Sequence, residues 1–124
     1  METATDKNLL DLILPRGILE YFLLVNFSTT TSEISLYLEE KNLVPGEYQL
    51  DKLTSKGFFD EITIQDFPIR GKAVFLHIRR RRWLNHTTGA VVFRDWNMVA
   101  QGTRMTREFA SFLKVISGYQ AGKL

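Results

Sequence analysis

AVFLHIRRRRW, residues 73–83, is the stretch whose reading decides the fold. Its first half alternates with the period of a half-buried strand. Val74, Leu76 and Ile78 share one face; Phe75, His77, Arg79, Arg81 and Trp83 share the other. Arg80 and Arg82 are in phase with Ile78, on the face that alternation assigns to the core. Four consecutive guanidiniums repel one another, so that assignment cannot simply continue. Either the strand has run past the core there, or a bulge re-aims it.

Outward from this strand, residues 61–66 predict a second strand with Ile62, Ile64 and Phe67 inward, followed by a turn at 67–72 that leads to the first. Residues 22–28 and 33–40 predict an antiparallel hairpin, with Ile34, Leu36 and Leu38 on one face. Residues 41–57 carry Pro-Gly and Lys-Gly turn signals and predict a long irregular connection. Before the hairpin, residues 7–14 predict a short helix capped by Asp6, with Leu9, Leu10, Ile13 and Leu14 at helical spacing and Pro15 and Gly17 ending it. A short turn follows at 18–21. On the other side, 84–89 predict a turn, 90–94 a returning strand and 95–104 an irregular segment. A helix is expected from Thr106, with Glu108 near its positive end, Phe109, Phe112, Leu113 and Ile116 as its stripe, and Gly118 as its stop. The expected class is α+β: a small antiparallel sheet with a short N-terminal helix and a C-terminal helix.

The chain has 124 residues, 44% of them hydrophobic, which fits a single domain over 1–124 with a real core. It has no cysteine, so disulfides and thiolate metal sites are excluded. The N-terminus is polar and mixed in charge, unlike a signal peptide, and the apolar runs fall short of the roughly 20 residues of a membrane span. A soluble, cytoplasmic protein without a membrane partner is expected. The net charge of +2 conceals an asymmetry: residues 1–69 carry 5 Lys/Arg and 12 Asp/Glu, residues 70–124 carry 11 and 2, together the 16 and 14 of the whole chain. Such a division predicts a polyanion-binding face on the basic half. The competing reading is that the two halves neutralise each other within one fold.

The basic part, 70–117, concentrates the candidate contacts. Arginine binds phosphate in a bidentate fork, so the run Arg79, Arg80, Arg81, Arg82 points to DNA. Trp83 beside it, and Trp96 beside Arg94, supply flat surfaces for stacking. Arg104 and Arg107 complete the set, close to a helix N-terminus that offers backbone N–H groups to phosphate. The competing reading of the run is an edge strand guarded by charge. Catalysis is not expected. A metal-dependent nuclease needs clustered carboxylates, and the basic half has only Asp95 and Glu108. Glu39, Glu40, Asp60 and Glu61 read as a solvated face. With His77 and His86 alone, a Cys/His zinc site cannot be completed; no phosphate loop or nucleophile elbow is present. No cofactor or metal is expected.

The stretches ITIQDFPIRGKAVFLHIRRRRW and TGAVVFRDWNMVAQGTRMTREFASFLK, with the opening LLDLILPRGILEYF, resemble the N-terminal region of ISAon-type insertion-sequence transposases of Bacteroidetes. The resemblance covers nearly the whole chain. The wider ISL-related group begins with a zinc ribbon, and Asp66, Phe67, Pro68, Gly71, Arg81, Arg82 and Trp83 stand in the order of its motif. The cysteine pair that would follow is replaced by residues 84–89. The resemblance thus implies a cysteine-free, zinc-ribbon-like second half. It also implies a non-catalytic DNA-binding region or accessory that recognises the terminal repeats of the element, with a separately encoded catalytic transposase subunit as partner. Two other readings of the residues stay open: a protein-interaction module docking onto that subunit, and an RNA-binding protein.

Overall fold

The computed structural model describes residues 4–15, 17–96 and 107–119. In chain order the elements are helix α1 (Ala4–Ile13), strands β1 (Phe22–Thr29), β2 (Glu33–Glu40), β3 (Leu53–Phe58), β4 (Ile62–Ile69), β5 (Lys72–Arg79), β6 (Arg81–Asn85) and β7 (Val91–Val92), and helix α2 (Arg107–Tyr119). Short 3-10 turns occupy Ile18–Glu20 and Gly46–Tyr48. The class is mixed α+β, with two sheets of mostly antiparallel strands. No helix among the described residues is long and apolar enough to cross a membrane.

The two predicted hairpins form and lie side by side in a four-stranded sheet of order β1-β2-β5-β4. The return strand of each hairpin lies inside. Consequently β2 and β5 run parallel, from Glu33 opposite Ala73 to Glu39 opposite Arg79, and the sheet is not antiparallel throughout as expected. Phe67 is exposed, not inward as expected, because the strand becomes irregular between Asp66 and Ile69, and the β4–β5 turn is tighter than predicted. Ile69 pairs with Lys72, and Arg70 and Gly71 between them take φ of 53° and 79°, the left-handed pair that a two-residue hairpin demands.

A second sheet, of order β3-β6-β7, was not expected. β3 begins inside the stretch expected to be irregular and ends one residue past it. Its sequence LTSKGF shows no alternation, so only pairing with β6 makes it a strand: Leu53 lies opposite Asn85 and Ser55 opposite Trp83. The single long strand expected over 73–83 is therefore two strands in two sheets, divided at Arg80. Burial marks the slip. Val74, Leu76, Ile78 and Arg80 are buried up to the break, then Trp83 and Asn85 beyond it. The inward phase changes from even to odd positions.

The core lies on one face of the four-stranded sheet. Leu36, Leu38, Ile62, Ile64, Val74, Leu76 and Ile78 pack beneath Ile18, Leu19, Phe22 and Trp96, with Phe112, Leu113 and Ile116 of α2 above. Phe22 stacks on Trp96 at 5.3 Å and meets Phe112 edge-on at 5.9 Å. Each such buried side chain contributes about 1.5–3 kcal/mol by leaving water. α1 contributes less than its pattern predicts. Leu10 and Leu14 face the core, but Leu9 and Ile13 are exposed, and the helix begins at Ala4, which puts Asp6 within its first turn. α2 runs one residue past Gly118; its expected start at Thr106 lies outside the described residues.

Candidate nucleic-acid interface

The arginine run occupies the junction where β5 leaves one sheet and β6 enters the other. Backbone pairing carries the β3–β4 link past it: the Phe59 N–H donates to the Arg80 carbonyl at 2.9 Å. Phe58 and Phe59 therefore lie against the four guanidiniums. Arg79 and Arg81 each approach the Phe58 ring at 4.6 Å; Arg80 and Arg82 approach Phe59 at 5.3 and 5.7 Å. Alternate arginines thus use adjacent rings as cation–π partners, an arrangement in which desolvation strengthens the attraction.

Carboxylates of the acidic half complete the junction. Arg79 Nη1 donates to Glu39 Oε2 at 2.9 Å. The Arg81 backbone N–H donates to Glu40 Oε1 at 2.9 Å, and its guanidinium donates to the Glu40 carbonyl and to Ser55 Oγ. Arg94 Nε donates to Glu40 Oε2 at 3.1 Å and its Nη2 to the Leu43 carbonyl at 2.7 Å. Burial raises the Glu40 carboxyl above its ordinary value, opposed by the Arg81 N–H and by the positive charges of Arg94 and Arg81.

These contacts redistribute the expected site. Arg80, Arg94, Trp83 and Trp96 are buried, at 2%, 7%, 1% and 1% exposure. Neither indole offers a face to a base: Trp96 is in the core, stacked on Phe22, and Trp83 lies opposite Ser55 and Val92. Arg81 is half-buried and committed to Glu40. Arg79 is exposed and Arg82 half-buried, so these two of the run face solvent most directly. Arg104 and the side chain of Arg107 lie outside the described residues.

Glu40 is not part of a solvated face; it is 1% exposed and joins β2 to Arg81 and Arg94. The signal was present in the sequence: Glu40 continues the inward phase of Leu36 and Leu38. Asp60 and Glu61 are exposed as expected. Phe58, Phe59 and Asn85 carried no signal of their own. Asn85 is 2% exposed; its Oδ1 accepts from the N–H groups of Thr87 and Thr88, and its Nδ2 donates to Asp51 at 3.0 Å. His77 sits on the outer sheet face, stacked on Tyr37 at 4.4 Å and bonded to Thr63 and Glu61. Among the described residues, no group of three His, Asp or Glu side chains is placed to hold a metal.

No family model, curated protein or solved structure matches the chain.

Proposed function

We propose that this chain is the non-catalytic DNA-binding N-terminal region, or an accessory, of a transposase. It recognises insertion-sequence ends, and a separately encoded subunit supplies the cleavage chemistry. The resemblance of its motifs to ISAon-type transposases supports this reading. The observation that carries it is the charge of the second sheet: its strands hold Lys56, Arg81 and Arg82 and no carboxylate, with Arg79 at their margin. Phe58 and Phe59 hold these guanidiniums in place, so little side-chain entropy is left to lose on meeting phosphate. The contacts are then Arg79, Arg82 and Lys56, whereas Arg80, Arg81, Arg94 and both tryptophans build the platform. Such contacts position the protein on the backbone of the duplex.

We also read the second half as ribbon-like without its metal. Where the second cysteine pair would stand, Asn85 closes the turn with its side chain and ties it to Asp51, and the His86 N–H donates to the Lys52 carbonyl at 2.9 Å.

Titration of labelled duplex carrying element ends tests the reading. With three cations on the backbone, log K is expected to fall against log salt with a slope of about −3. Arg79→Ala and Arg82→Ala are expected to weaken binding while circular dichroism stays unchanged. Binding that ignores both substitutions, or a salt slope near zero, overturns the proposal.

A further inference from the structure

We infer that Glu39 is a competitor for phosphate built into the interface: its carboxylate occupies Arg79 where a phosphate oxygen would, and DNA must displace it. The inference rests on the DNA-binding reading and adds to it the residue that limits the affinity of the site.

The two acids that end β2 do different work. Strand alternation sends Glu40 inward, where it is buried and accepts from the Arg81 N–H and from Arg94. It sends Glu39 to the outer face, directly opposite Arg79 in the parallel pairing of β2 with β5. Arg79 Nη1 donates to Glu39 Oε2 at 2.9 Å, and the two side chains are 46% and 29% exposed. Water screens a pair this open, so it contributes little to the fold and parts easily. The Glu40 pairs cannot part in this way without leaving charge buried.

The exchange needs no rearrangement. The Arg79 guanidinium lies 4.6 Å from the centre of the Phe58 ring, which holds it whichever anion it meets. Its bond to Glu39 is single, Nη1 to Oε2, whereas phosphate can accept from a guanidinium through two oxygens at once. Phosphate therefore gains a bond that Glu39 does not make. It also loses something, because the displaced carboxylate stays beside it as a like charge. Arg82 and Lys56 differ: among the described residues neither has a carboxylate within ion-pair distance. Of the three proposed contacts, Arg79 alone has an anion to shed.

A double-mutant cycle on the full chain tests the inference. Wild type, Glu39→Gln, Arg79→Ala and the double variant are titrated with one labelled DNA duplex at low salt, where weakened variants still bind. Glu39→Gln is expected to lower Kd about fivefold, the upper range for release of an exposed ion pair. In the Arg79→Ala background the same substitution is expected to leave Kd within about twofold. Urea midpoints of the four proteins check that the fold is kept. A Kd that stays level or rises in Glu39→Gln overturns the inference. So does a gain just as large without Arg79, which would mark a diffuse effect of charge. Wild type that binds while the cycle fails overturns this inference alone; absence of binding in all four proteins overturns the DNA-binding reading and the inference with it.

Discussion

Arg94 Nε donates to Glu40 Oε2 at 3.1 Å across 54 positions of sequence, and the two side chains are 9% and 1% exposed. The pair ties the end of β2 to the chain beyond β7. A buried pair of this kind is costly to break from one side, because the surviving charge stays in an apolar medium. Arg94→Leu is expected to lower unfolding free energy by about 3–5 kcal/mol. Replacing both Glu40 and Arg94 by Leu is expected to recover most of that loss. Urea denaturation of the two variants measures the difference; equal losses would contradict this account of the pair.

The carboxyl of Glu40 also sets a pH dependence. Burial, outweighing Arg81 and Arg94, raises it above the ordinary 4.5. The folded state therefore keeps this proton where the unfolded state releases it. The resulting contribution to stability is complete below the ordinary value and is lost as pH rises through the folded one. Glu40→Gln removes the dependence. Wild-type stability relative to the Gln variant is expected to decline as pH rises above 4.5, read from urea midpoints across a pH series. A gap that widens in favour of the wild type would have the wrong sign.

Both tryptophans are 1% exposed. Acrylamide is expected to quench their fluorescence weakly, and added DNA is expected not to quench it by stacking. The Trp83 Nε1 hydrogen meets no acceptor among the described residues, so Trp83→Phe gives up volume but no hydrogen bond. A loss of about 1–3 kcal/mol is expected, as for other core truncations. Strong quenching by DNA would return Trp83 or Trp96 to the contact surface.

Asn85 closes its turn through one amide, whose Oδ1 accepts from the N–H groups of Thr87 and Thr88 and whose Nδ2 donates to Asp51. Asn85→Ala leaves those groups without their partner. Destabilisation of about 1–3 kcal/mol is expected, with faster amide exchange at Thr87 and Thr88. Unchanged exchange there would show that the turn does not depend on the amide.

Arg70 adopts φ of 53°, a left-handed conformation that disfavours most side chains and that asparagine tolerates. Arg70→Asn is expected to raise stability by about 0.5–1 kcal/mol, read from the melting temperature. A melting temperature that stays level or falls would contradict this account of the turn.

The two hairpins and most of the core were legible in the sequence, because alternation and turn chemistry act within a few residues. Ile34, Leu36 and Leu38, then Val74, Leu76 and Ile78, declare their faces by period alone, and the stripe Phe112, Leu113 and Ile116 declares the inner side of α2. The basic cluster was legible as charge, and its break from alternation at Arg80 was visible too. What the break meant was decided by tertiary structure. Whether Arg80 and Trp83 face inward depends on which sheet each half of the strand joins, and that depends on β3, a segment with no periodic signal. The parallel pairing of β2 with β5 likewise follows from how two hairpins dock. Arg79 and Arg81 are tied to Glu39 and Glu40, which lie about forty positions away and come within hydrogen-bonding reach only once the sheets have formed. Local sequence determines which residues can pair with charge; the fold determines which of them remain for a partner.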